Sequence, residues 1–114
     1  MSAMPRYAMT YVVVWADEFG PGRHVLKVGR AWRSSRLQMM TMSGAQVIIC
    51  ARGTDRTWEI EALRKLRRWF PQAFNNDLEA RSILFKGRGW TECFEVDDAH
   101  LQLCLLYTSD AADD

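Results

Sequence analysis

The chain has few of the residues that build covalently linked or metal-bound folds. Its 114 residues include three cysteines and two histidines, and no two cysteines form a CxxC pair. We therefore expect neither a disulfide framework nor a zinc site. The chain also lacks an apolar run long enough for a signal-peptide core or a membrane span. These absences predict a protein of the reducing cytoplasm that has no membrane partner.

The short motifs of common enzyme classes are missing as well. The sequence has no GxxxxGK[ST], HExxH or GxSxG segment, and His24 and His100 are isolated. A catalytic site would therefore have to be assembled from side chains that lie far apart along the chain.

Positive charge, by contrast, is concentrated in the middle of the chain. The formal net charge is +1, but between positions 23 and 68 eleven Lys and Arg residues stand against three acidic residues, a balance of about +8. A segment of this kind suits a polyanion such as nucleic acid. The alternative is a solvated, arginine-rich surface that binds nothing.

The last eleven residues, 104–114, differ abruptly in composition from the rest. Their sequence, CLLYTSDAADD, has no amphipathic period and resembles the translation of a transposon-end adapter used in sequencing-library preparation. We expect this segment to be an adapter-derived artefact, so that the predicted single domain covers residues 1–103 and is C-terminally truncated. The alternative is a short disordered acidic tail.

Hydrophobic patterning predicts an α+β domain with the element order ββαβα and a short closing strand. The predicted strands cover residues 7–15, 24–28, 45–51 and 91–96. The predicted helices cover residues 35–42 and 57–70. Ser34 or Ser35 is the expected cap of the first helix, and a further helix is expected after residues 97–98. Trp58 and Trp69 share the apolar side of the long helix, so both are expected in the core.

Three of these predicted elements carry a phenol, two guanidinium groups and two carboxylates. Tyr11 lies in the first strand, Arg33 and Arg36 open the first helix, and Glu59 and Glu61 begin the long helix. Brought together, such groups are the parts needed for metal-assisted hydrolysis of a phosphodiester. A carboxylate can hold a divalent cation, and an arginine can grip a non-bridging phosphate oxygen.

Three short segments carry a resemblance to a known family. TYVVV lies in the first strand, KVGRA ends the second, and GWTECFEV follows the long helix. In this order they resemble the GIY-YIG nuclease superfamily, most of all a small phage and bacterial branch related to meiotically up-regulated gene domains. The resemblance covers about residues 10–97. It implies a three-stranded antiparallel sheet flanked by helices, and Mg²⁺- or Mn²⁺-dependent hydrolysis of DNA.

The resemblance also implies roles for individual residues. Tyr11 matches the catalytic tyrosine of the first motif, and Glu59 matches the metal-binding glutamate of the long helix. Glu61 is the second choice, because its position suits an exposed ion pair with residues one turn on. Arg36 matches the phosphate-binding arginine one residue sooner than usual, so Arg33 remains an alternative.

The second motif, KVGRA, departs from the family and supplies the expected substrate contacts. Lys27 stands where the family has a tyrosine, which removes one phenol from the expected site. Lys27, Arg30 and Arg33 are expected to contact the phosphate backbone. Gly29, at the predicted end of the strand, would let that backbone approach closely.

Three functions remain open at this point. The first is a DNA endonuclease, whose site specificity would come from a partner domain or from a missing C-terminal part. The second is a non-catalytic nucleic-acid-binding module on the same fold. The first motif allows this, because Met9 and Thr10 stand where the family has glycine and isoleucine. The third is a protein-interaction domain with no nucleic-acid role, in which Tyr11 is only a core residue.

Overall fold

A four-stranded antiparallel sheet forms the centre of the protein. The computed structural model describes residues 8–52 and 56–103. The strands are β1 (Met9–Trp15), β2 (Arg23–Ala31), β3 (Gln46–Arg52) and β4 (Cys93–Asp97), in the spatial order β3-β1-β2-β4. The predicted α+β class is confirmed. The resemblance implied three strands, and the observed sheet has one more. The closing strand β4 joins it by pairing along β2 from Lys27 to Arg23.

Helices flank both faces of this sheet. They are α1 (Ser34–Met42), α2 (Thr57–Trp69) and the short α3 (Asp77–Ala80), which the sequence did not predict. The expected serine cap of α1 is wrong, since Arg33 takes the cap position and makes no side-chain hydrogen bond there.

The helix expected after β4 covers residues 98–103, where the described part ends. Asp97 caps it by accepting a hydrogen bond from the backbone N–H of His100 at 2.8 Å. That bond, together with a second one from the His100 side chain, lowers the pKa of Asp97.

One face of the sheet packs against α1 and the segment that follows α2. Tyr11, Val13 and Trp15 alternate along β1 and point to this side, where Met40 of α1 and Phe74 cover them. This alternation is the period-two pattern of a strand, and it fixes which face each β1 side chain occupies.

The opposite face packs against α2. Val12 and Val14 of β1 meet Ala62, Leu63 and Leu66 of the helix, all of them buried. The expectation for Trp58 holds in part, since it packs against this cluster while partly exposed.

Trp69 was expected in the core and is 72% exposed. The helix ends at Trp69, and the chain turns so that Phe70 contacts the core in its place.

The proposed adapter-derived segment, residues 104–114, lies outside the described residues, as does residue 7 at the start of the first predicted strand. None of the helices in the described part has both the length and the apolar character needed to cross a bilayer.

Phe94 provides a test of the fourth strand. It is fully buried between the sheet and α2, so Phe94→Ala should lower the free energy of unfolding by about 3–5 kcal/mol. Phe85 is 59% exposed, and the matched change Phe85→Ala should cost no more than about 0.5 kcal/mol. Urea unfolding followed by circular dichroism measures both, and equal losses would contradict the placement of β4 in the core.

Candidate functional site

Tyr11 and Gly29 face each other in the middle of the sheet. They are paired residues of β1 and β2, and β2 continues beyond Gly29 to Ala31 instead of ending there as predicted. A Cβ atom at position 29 would collide with the Tyr11 hydroxyl and lie 2.6 Å from Lys27 Nζ. The glycine therefore makes room for two side chains of the protein itself, a different reason from the close phosphate approach predicted from the sequence.

Lys27 lies beside the Tyr11 phenol and is completely buried. Its ammonium donates hydrogen bonds to Tyr11 Oη at 3.1 Å and to Glu92 Oε1 at 3.5 Å. Nζ also lies 5.1 Å from the centroid of the Tyr11 ring. Such partners are what a buried charge requires. Because its surface is covered, Lys27 does not present the open cationic contact that the sequence led us to expect.

A glycine turn covers this ammonium. Gly89 has a φ of 84°, and a Cβ there would lie 3.0 Å from Lys27 Nζ and 3.4 Å from Arg36 Nη2. Gly89 is thus a close-approach position in the left-handed region, which glycine adopts without strain. The same distances bring the exposed Arg36 next to Lys27.

The other two predicted basic contacts lie further out. Arg33 is exposed at the cap of α1. Arg30 is partly buried, with its guanidinium 5.5 Å from the centroid of the exposed Trp32 ring. By strand alternation Arg30 shares a face with Val28, which packs towards α2, whereas Lys27 lies on the α1 side.

Glu59, the predicted metal ligand, is a buried carboxylate in the first turn of α2. The residue is 4% exposed, and its Oε1 lies 3.5 Å from Arg56 Nη2. Its Oε2 is also buried and has no hydrogen-bond partner within residues 8–52 and 56–103. Glu61 behaves as the predicted surface alternative, although its partner is Arg64, at 3.0 Å, three residues on.

Glu59 opens into a pocket of about 440 Å³ with a mixed charged lining. Glu92 lies on its wall, together with Arg56, Arg64 and Arg67. No group of three or more His, Cys, Asp or Glu side chains in the described part could enclose a metal ion. Mg²⁺, however, is commonly held by one or two carboxylates together with water and substrate phosphates, and the unpartnered Oε2 of Glu59 fits that role.

Glu92 connects the two faces of the sheet. It bonds to Lys27, which lies with Tyr11 on the α1 side, and it lines the Glu59 pocket on the α2 side. The sequence placed Glu92 inside the strand predicted over residues 91–96, whereas the observed strand begins one residue later, at Cys93. The only further signal was the GWTECFEV segment of the family resemblance.

Cys93, next to Glu92, is not available as a nucleophile. Burial raises the pKa of its thiol to about 12, although the nearby Lys27 ammonium acts in the opposite direction. Its Sγ donates to the backbone carbonyl of Gly89 at 3.7 Å. A neutral thiol in this setting packs the turn against the sheet.

The packing at Gly29 can be tested by adding a single methyl group. Gly29→Ala should lower the free energy of unfolding by about 1–3 kcal/mol, because the new Cβ meets the Tyr11 hydroxyl and the Lys27 ammonium. The cost should be smaller when Tyr11→Phe has already removed the phenol oxygen. Chemical unfolding of the four proteins of this cycle measures both effects, and a Gly29→Ala protein as stable as the parent would contradict the described contact.

Comparison with protein-family models, with curated proteins and with solved structures finds no match to this chain. Roles for the residues of the candidate site are therefore supported by the contacts of the described residues and by the short motifs of the sequence.

Proposed function

We propose that the protein is a divalent-metal-dependent DNA endonuclease of the GIY-YIG type. The observation that carries this proposal is the buried Glu59 carboxylate, whose Oε2 has no protein partner in the described part of the chain. Leaving a carboxylate oxygen buried and unpaired costs free energy. A cation that binds there would offset this cost.

The pocket around Glu59 suits a phosphodiester next to such an ion. Glu59 would hold Mg²⁺ or Mn²⁺, and Glu92 is a second carboxylate on the same pocket wall. A divalent ion at this position supplies positive charge to the scissile phosphate and its leaving oxygen. Arg56, Arg64 and Arg67 line the pocket, and their guanidinium groups favour the approach of the phosphate backbone.

Tyr11 and Arg36 lie on the α1 side of the sheet and do not line the Glu59 pocket, so they would have to reach the phosphodiester past Glu92, which bonds Lys27 and lines that pocket. The Tyr11 oxygen, as the phenolate, would accept a proton from the attacking water and become the phenol, and the positive charge of Lys27 lies 3.1 Å from this oxygen. Arg36, exposed beside Lys27, would grip a non-bridging phosphate oxygen. Because Tyr11 has no exposed surface, these roles require the turn that contains Gly89 to move away when substrate binds.

A second function is favoured by that same burial. Tyr11 and Lys27 are both completely covered, as core residues would be. A non-catalytic nucleic-acid-binding module would keep the basic surface and use the Tyr11–Lys27–Glu92 contacts only for stability. Turnover separates the two proposals, whereas salt-dependent DNA binding is common to both.

Glu59→Gln is the central test of the nuclease. The amide keeps the shape of the side chain but is a much poorer ligand for Mg²⁺, so nicking of supercoiled plasmid should fall about 100-fold or more, equivalent to ~2.7 kcal/mol of transition-state stabilisation. Mn²⁺ binding measured by calorimetry should weaken in parallel. DNA binding should be retained.

Glu61→Gln is the matched control, since it changes an acid of the same helix that pairs on the surface with Arg64. It should nick plasmid at the parental rate. An active Glu59→Gln protein would refute the assignment of Glu59. A folded parent protein that binds DNA without nicking it in Mg²⁺ or Mn²⁺ would favour the binding module.

Tyr11→Phe distinguishes a catalytic phenol from a core residue. The ring remains and only the oxygen is lost, so we expect a folded protein whose nicking rate falls about 100-fold or more, as for a lost proton-transfer group. The binding of uncleaved DNA in the presence of chelator should not change. Unchanged nicking would assign Tyr11 to packing alone.

A further inference from the structure

A groove separates α1 from the segment that leads to the Gly89 turn. We call it the Phe85 groove. Two cavities of about 190 and 770 Å³ form it, and they adjoin each other, since Met39, Ile83, Leu84 and Phe85 line both. Arg36 lines the smaller cavity, so the groove begins at an arginine of the candidate site.

The rim of the Phe85 groove is basic. Its charged lining residues are Arg36, Arg81, Lys86, Arg88 and Asp77. No salt bridge joins any of the four cations to an acidic side chain of residues 8–52 and 56–103. The excess of positive charge is therefore available to an anionic ligand.

Apolar side chains are exposed inside this basic rim. Phe85 is 59% exposed and Met39 is 43% exposed, while the neighbouring Ile83 and Leu84 are buried and anchor the segment to the core. Lys86 has a φ of 55°, and its Nζ lies 5.3 Å from the centroid of the Phe85 ring. The aromatic ring is thus held at the surface with a cation beside it.

We propose that the Phe85 groove binds a single, unpaired DNA strand next to the cleavage site. Arginines that track a backbone, together with an exposed aromatic ring on which a base can stack, are the two elements of single-strand recognition. A base in a duplex has both of its faces covered by its neighbours, so only an unpaired base can use Phe85. The proposal deepens the proposed function and rests on it for the location of the cleavage site, through Arg36.

Binding of fluorescein-labelled oligothymidylate of about 16 nucleotides tests this assignment, with a hairpin duplex of the same length as the second ligand. Phe85→Ala should weaken single-strand binding about fivefold or more and leave duplex binding within about twofold. Phe85→Trp should retain single-strand binding. Trp69→Ala, which removes an even more exposed aromatic from α2, is the matched control and should change neither affinity.

The basic rim is tested separately by salt dependence. For single strands, log affinity falls as log salt rises. The magnitude of this negative slope should become smaller by about 0.7 for each arginine removed, in Arg81→Ala and in Arg88→Ala. Arg68→Ala on α2, outside the groove, should not change the slope. Circular dichroism checks that each variant is folded.

Several outcomes would overturn the assignment. These are unchanged single-strand binding by Phe85→Ala, an equal loss for both ligands, or equal effects of the Arg68 and Arg88 changes. Equal effects of the two arginine changes would indicate general charge attraction. An equal loss for both ligands would show that Phe85 does not distinguish a single strand from a duplex, and unchanged binding would leave the groove to a protein partner. If the parent protein never nicks plasmid and Phe85→Ala still loses single-strand binding, the result would support the groove and refute the nuclease.

Discussion

The burial of one ammonium group constrains much of this molecule. Lys27 lies in the central pair of strands with no exposed surface, and a lone charge in that position would be very costly. Its two hydrogen-bond partners, Tyr11 and Glu92, come from β1 and from the residue before β4. Room for the ammonium comes from two glycines, one in β2 and one in the turn above it, where a Cβ would crowd Nζ.

This constraint explains why the acidic and the basic parts of the candidate site are linked. Glu92 neutralises Lys27 on one side of the sheet and lines the pocket of Glu59 on the other. Anything that changes the charge in the Glu59 pocket is therefore felt by the carboxylate that holds Lys27. The edge strand β4 begins at Cys93, the residue after Glu92. Glu92 therefore belongs to the candidate site and also leads directly into the edge of the sheet.

The sequence predicted those parts of the fold that local periodicity controls. Alternation placed Tyr11 in a strand, and helical spacing put Ala62 and Leu66 on the buried side of α2. Trp69 was misplaced because it is the last residue of the helix, where periodicity no longer constrains direction. The closing strand was predicted, but its place in the sheet was not, because pairing along β2 is a long-range contact that no local pattern encodes.

The candidate site was less predictable than the fold. The family resemblance selected Glu59 and left Glu61 as the alternative, but only packing shows which of the two is buried. Lys27 was expected on the surface because lysine nearly always is. Its burial depends on Tyr11 and Glu92, which are 16 and 65 residues away in the chain.

The covered lysine also makes the chain a chemical reporter of its own opening. Lys65 and Lys86 are exposed, so amine-reactive reagents reach them in the folded state, whereas Lys27 lies under the Gly89 turn. Acylation at Lys27 would mark those molecules in which the Gly89 turn has lifted from the ammonium. The labelled fraction would therefore report how often this turn opens in solution.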